Sequence, residues 1–255
     1  MDARRKLFRI YWRIQSAVVP NLKYSQECYE DVLKLYTNPK VTWLDLGCGH
    51  HLLPPWRIKE EKKLIANCKA IVGLDFDLRS LKKHYTILDS NKVRGDVSHL
   101  PFRESSFDLI TANMVVEHLR WPIIQFREIW RILKPEGLFL LHTPNVFGYT
   151  AILARLTPDV LRKKVIYIFQ GRKEEDIFGT YYRANSPLKI RQISAVTGFN
   201  VVRIKMIVSG AQFVIVPPLA VLELLWIKVL MRRPFKLFRT NIIGILKKSS
   251  TVDQG

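Results

Sequence analysis

VTWLDLGCGHHLLP, Val41 to Pro54, opens as a buried strand and breaks into glycine. Val41, Trp43, Leu44 and Leu46 are apolar, with β-branched and aromatic members, as in a strand covered on both faces. Gly47-Cys48-Gly49 then ends the strand, and Asp45 stands two residues before the turn. Two readings fit. Either a ligand comes close to the backbone, where glycine leaves room, or this is a plain tight turn.

From Val41 onward strand and helix patterns alternate. "KAIVGLDFD" predicts a second strand ending at Asp75, and residues 78–89 a helix. "KVRGD" predicts a short third strand ending near Asp96, and "FDLITANM" a fourth. "WPIIQFREIWRIL" predicts a helix, with Pro122 in its first turn and Ile124, Phe126, Ile129, Trp130 and Leu133 on its buried face. "KPEG" reads as a turn and "LFLLHT" as strand five. "SPLKIRQISAVTG" predicts a helix capped by Ser186 and stopped at Gly198. "FNVVRIKMIV" and "TNIIGILKK" supply further strands. This alternation predicts an α/β fold, a mostly parallel sheet with helices on both faces.

Ligands of such sheets sit outside the carboxyl ends of the strands. Asp45, Gly47, Cys48 and Gly49 fall there on strand one, and Asp75 with Phe76 on strand two. Strand three brings Asp96 and Val97, strand four Asn113 followed by Glu117 and His118, and strand five His142. A carboxylate at the end of strand two can accept both hydroxyls of a ribose. Asp96 can meet an exocyclic amine. No third glycine follows Gly49 and no P-loop lysine is present, so a nucleoside without phosphates fits better than a dinucleotide.

Four blocks, "WLDLGCG", "IVGLDFD", "GDVSHLPFRESSFDLI" and "EIWRILKPEGLFLLHTPN", resemble the class I S-adenosylmethionine-dependent methyltransferases. Within them the likeness is to the small-molecule group that includes quinone-biosynthesis enzymes. It covers residues 41–145 and continues more weakly in "TYYRANSPLKIRQISAVTGF". The resemblance implies a Rossmann-like seven-stranded sheet whose last strand is antiparallel, with S-adenosyl-L-methionine as cofactor. By position it implies Asp45, Gly47, Cys48 and Gly49 at the methionine part. Asp75 and Phe76 would stand at the ribose, Asp96 and Val97 at the adenine, and Asn113 in the floor of the site. The family's third glycine is His51 here, which leaves the loop's details open. Methyl transfer from a sulfonium needs alignment and exclusion of water, and a base only for a protonated acceptor. His118 and His142 are the candidates, and each could equally be structural. A metal-binding E-x-x-E-H pattern is matched by Glu117 and His118, but its first acid is Met114, so no metal site is expected.

The formal charge is +19. Residues 41–143 are nearly balanced, with 15 basic and 12 acidic side chains, whereas residues 185–255 hold 11 and 2. The excess on the flanks suggests an anionic surface nearby, either phospholipid or nucleic acid, and its pairing with the late apolar insertion favours a membrane surface as the partner over nucleic acid. Residues 1–40 read as a basic amphipathic helical segment that either lies on a membrane or caps the domain. Residues 41–255 read as the catalytic domain, with insertions at about 144–184 and 210–239. In the second, residues 213–231 carry only Glu223 and Lys228 as charges, with Leu219, Leu222, Trp226 and Leu230 at helical spacing. Arg232, Arg233, Lys236 and Arg239 follow. Pro217-Pro218 and the two charges make an interfacial helix the preferred reading over a crossing, with a packed lid as the alternative.

Three scattered cysteines and the lack of a signal-peptide pattern predict a reducing compartment, and with the basic flanks and apolar insertion the expected location is cytoplasmic, peripheral on the inner membrane face. The functional expectation is methyl transfer to a small, apolar or lipid-like acceptor. A soluble metabolite or sugar, RNA, or an inactive binding module are the alternatives. Oligomeric state is not legible.

Overall fold

The computed structural model describes residues 2–157 and 179–249. Residues 158–178 of the first insertion lie outside the described residues. The chain divides into two compact units.

The first is a sheet unit, residues 28–144, 180–205 and 242–249 of those described. Its strands are β1 (Thr42–Leu46), β2 (Ala70–Asp75), β3 (Lys92–Arg94), β4 (Phe107–Asn113), β5 (Leu133–Pro144), β6 (Phe199–Ile207) and β7 (Asn241–Lys248). They form one sheet of seven in the order β3-β2-β1-β4-β5-β7-β6. The first four pairings are parallel. β7 runs antiparallel to β5: Asn145 N donates to Thr240 O (2.7 Å) at one end, and Lys248 Nζ to Leu133 O (2.7 Å) at the other. β1 is central because it is apolar on both faces, and Trp43 and Leu44 are wholly buried. Phe126, Phe139 and Phe199 meet as an aromatic cluster beneath the sheet's later strands.

Helices α2 (Ser25–Tyr36), α3 (Ile58–Ala66), α4 (Leu78–Lys83), α5 (Pro122–Ile132) and α7 (Pro187–Val196) punctuate the strands. Ser186 caps α7 by accepting from Lys189 N, with Pro187 in the first turn. Gly198, at φ +79°, follows its end.

Three boundaries differ from the sequence reading. The helix expected over 78–89 stops at Lys83: Asp77 caps its start, while the Thr86 hydroxyl bonds to buried Glu61 beyond its end. β5 begins at Leu133, so "KPEG" is an irregularity inside the ladder. Phe107 faces Leu133 but Leu109 faces Leu138, and Glu136 takes a positive φ of 67°. β3 ends at Arg94, which leaves Asp96 just past it.

The second unit is helical and gathers, of the described residues, 2–27, 145–157, 179 and 206–241. Its described helices include α1 (Asp2–Val18), α6 (Tyr149–Leu156) and α8 (Pro217–Leu230). Tyr11 and Val19 pack with Val208, Ala220, Leu224, Ile227 and Leu230 in one core, joined by Ile14 and Val18. Tyr11, Ile14 and Val18 of α1 are therefore covered by its own unit, whereas Ile10, Trp12, Arg9 and Arg13 are left to solvent. Glu223, the single acid of α8, points inward. Its carboxylate accepts from Gln212 N, Phe213 N and the Tyr149 hydroxyl (2.6 Å). Arg239 folds back and donates to the carbonyls of Leu230, Met231 and Met206, closing the end of α8. It is thus spent on the fold, unlike the exposed Arg232, Arg233 and Lys236.

Candidate functional site

The carboxyl ends of β1, β2 and β4 carry most of the residues that the sequence singled out. Gly47 and Gly49 both take positive φ, +64° and +55°. A Cβ on Gly47 would stand 2.5 Å from Val115 Cγ2, so glycine is required there by sterics as well as by backbone conformation. The amides of Gly47 and Cys48 both donate to Leu74 O, at 2.7 and 3.2 Å, which pins the turn to the end of β2. The Cys48 side chain is buried against Gly73, and burial pushes its thiol up.

Asp75 closes β2. One carboxylate oxygen accepts from Gly49 N and the other from Asp77 N, both at 2.8 Å. A carboxylate has about four lone-pair sites, so both oxygens keep acceptor capacity for a diol. Burial raises its pKa. Phe76 beside it is exposed. Asp96 is exposed and accepts from Ser98 N (2.7 Å), an Asx turn that orients it, and Val97 is half-buried.

Asp45 is buried in the centre of the sheet, in register with Thr111 on β4. The Thr111 hydroxyl donates to its Oδ1, and Trp43 Nε1 donates to that hydroxyl (2.7 Å). Burial pushes the Asp45 carboxyl up to about 8. In the same register scheme Asn113 faces His142, and their Oδ1 and Nδ1 lie 2.8 Å apart. His142 is fully buried and stacks on Tyr29 of α2, with ring centroids 5.5 Å apart. Burial takes its pKa down to about 3. It is a neutral ring that holds Asn113.

His118 is half-buried on a short turn after β4. Glu117 accepts from the Thr143 hydroxyl (2.9 Å), so its carboxylate serves the fold. Among the described residues no group of three metal-binding side chains comes together.

A methyltransferase-domain family model matches residues 44–141. Over those residues the chain is similar to methyltransferase domains. The cofactor that this family implies is S-adenosyl-L-methionine. A probable S-adenosylmethionine-dependent methyltransferase of Mycolicibacterium smegmatis is 36% identical over 107 residues, 40% of this chain and 37% of that protein. A demethylmenaquinone methyltransferase of Lactiplantibacillus plantarum is 34% identical over 99 residues, 36% of this chain and 40% of that protein. The chain thus spans about two-fifths of the length of these relatives. The crystal structure of an S-adenosylmethionine-dependent methyltransferase from Mesorhizobium loti superposes with a TM-score of 0.52 at 17% identity, over 86% of this chain and 96% of that one. That likeness establishes the fold.

Two residues near this sheet edge are placed in ways that their sequence context does not suggest. Glu61, on α3, is wholly buried and accepts from Leu53 N (2.9 Å) and the Thr86 hydroxyl. It fixes the His50–Leu53 stretch where the family's third glycine is missing. In the sequence it falls within "PPWRIKEEKK", which looks like an insertion between the first two strands, so no local signal marks it. Tyr29 is equally hidden: only packing shows that α2 delivers its ring onto His142.

Proposed function

We propose that this chain transfers the methyl group of S-adenosyl-L-methionine to a small acceptor of apolar or lipid-like character at a membrane surface. The observation that carries the first half is the constellation at the carboxyl edge. Two left-handed glycines, a carboxylate at the end of β2 held by two backbone amides, and a second acid after β3 support the reading of a nucleoside ligand without phosphates. Asp45, Gly47, Cys48 and Gly49 hold the methionine part in this reading. Asp75 and Phe76 hold the ribose, Asp96 and Val97 the adenine, and Asn113 the floor. His118 is the base for an acceptor that needs one, and His142 positions Asn113. When bound, the cofactor supplies the activated methyl. The chain supplies alignment and exclusion of water.

The second half is supported by α8. Its inner arc is Ala220, Glu223, Leu224 and Ile227, yet Leu219, Leu222, Leu225 and Trp226 stand exposed on the other side. A helix apolar on its outer face needs a further apolar partner. Exposed Arg232, Arg233 and Lys236 follow at once, as anionic headgroups would require. Among the described residues no helix is long and apolar enough to cross a membrane, and the reading is of a surface contact.

The test is incubation with cofactor labelled in its methyl group and a total cell extract, followed by partition between organic and aqueous phases. Label in the organic phase is expected. Label only in RNA or in water-soluble product sinks the lipid-like acceptor, and no heat on titrating S-adenosylhomocysteine into the purified protein sinks the enzyme.

A further inference from the structure

Arg120, Trp121, Tyr181 and Arg183 form a cluster in the sheet unit that the cofactor site does not use. Both guanidiniums lie 5.3 Å from the centroid of the Trp121 ring, and Arg183 also lies 5.7 Å from that of Tyr181. All four residues are exposed. Arg183 spends Nη1 on the Arg120 carbonyl (2.8 Å). Among the described residues neither guanidinium has a carboxylate partner, and the rest of both donor forks is unclaimed. Two like charges around one ring repel each other, and a bound anion offsets that cost.

The cluster is built rather than fortuitous. The segment bearing Arg183 is fastened to the loop bearing Arg120 by several independent bonds. Tyr181 N and Tyr182 N both donate to Glu117 O, at 2.8 and 3.2 Å. The buried Glu117 carboxylate accepts from Thr143, whose hydroxyl in turn accepts from buried Asn185 Nδ2 (2.6 Å). Tyr182 holds a left-handed φ of 52°, unusual for an aromatic residue and tolerated where surrounding bonds fix the chain. The cluster follows β4 directly, two residues beyond His118, at the same sheet edge as Asn113.

We propose that Arg120 and Arg183, held on Trp121, recognise a carboxylate or phosphate group of the methyl acceptor. This rests on the methyl-transfer reading and narrows it to an anionic acceptor. The planar forks suit such groups because they donate two parallel N–H bonds to paired oxygens.

Phenyl phosphate and benzoate are the probes, phenol the neutral control, and the full-length protein the receptor, followed by calorimetry. Wild type is expected to bind both anions in preference to phenol. In R120Q/R183Q the affinity falls roughly tenfold or more, while the heat of S-adenosylhomocysteine binding is unchanged. R183K, which keeps the charge and loses the flat stack, lies between. Should the double variant melt early, R120Q alone carries the test, because its side chain makes no hydrogen bond to the rest of the described chain. Vesicles of phosphatidylglycerol against phosphatidylcholine separate the sources. Binding weakened in R120Q/R183Q for the anionic vesicles marks a lipid headgroup; a loss confined to phenyl phosphate and benzoate marks a soluble anion. Wild type that treats anions and phenol alike, or a double variant that binds the anions as wild type does, overturns the proposal. Absence of S-adenosylhomocysteine heat in wild type would instead remove the methyl-transfer reading and leave the anion site to stand on its probes.

Discussion

Gly47 shows how little freedom the turn has. Gly47→Ala adds a Cβ that meets Val115 at a left-handed φ, which costs about 1–3 kcal/mol. Chemical denaturation should show that loss, and calorimetry a weaker S-adenosylhomocysteine. Asp75→Asn replaces an oxygen that receives a backbone N–H with an amide that must donate, so cofactor affinity should fall roughly ten- to hundredfold.

Two buried titrating groups set opposite pH slopes. Asp45 is neutral in the fold up to about pH 8. Its contribution is complete below the unfolded carboxyl's pKa of about 4 and is lost as pH rises towards 8. His142 is depressed to about 3. Its contribution is complete above the unfolded imidazole's pKa of about 6.5 and is lost as pH falls through that value towards 3. Between about pH 6.5 and 8 only Asp45 changes, so stability should decline there, and Asp45→Asn should flatten that decline in a pH series of melts. The acids at strand ends were legible in the sequence because a parallel sheet sends its strand ends to one edge. Glu61 and Tyr29 were not, because their partners lie on other elements.

At the scale of elements, caps and turn residues told most. Ser186-Pro187 and Gly198 bracket α7 as their chemistry predicts. The helix after Asp77 ended early because a tertiary bond to Glu61 competed with its last turns. Glu223 makes a sharper case. As a charge in an apolar run it reads as a break in a lipid-facing stretch, yet three donors from other segments turn it inward. Glu223→Ala strands those donors and should cost about 3–5 kcal/mol in denaturant melts, whereas Glu223→Gln, which keeps one acceptor, should cost less.

Over the whole molecule the charge is uneven rather than merely large. The sheet unit's core segment is nearly neutral, and the basic excess lies on the flanks. Each basic side chain near an anionic bilayer contributes about 1 kcal/mol, so R232Q/R233Q/K236Q should weaken binding to phosphatidylglycerol vesicles roughly hundredfold. Rising salt should produce a similar loss. Leu222→Glu should reduce vesicle binding without lowering the melting temperature, since that side chain is exposed.

The sequence by itself determined the strand–helix alternation, the glycine turn and the acids at strand ends. These follow from local rules: the two-residue period of a strand, the φ that only glycine takes cheaply, and the shared direction of parallel strands. Only the tertiary structure decided that the N-terminal helix and the late insertion build one core, that Glu223 and Arg239 serve it, and that Arg120 and Arg183 share one tryptophan. Those outcomes depend on partners far apart along the chain, and a buried charge or a stacked ring is defined by what surrounds it, not by its neighbours in sequence.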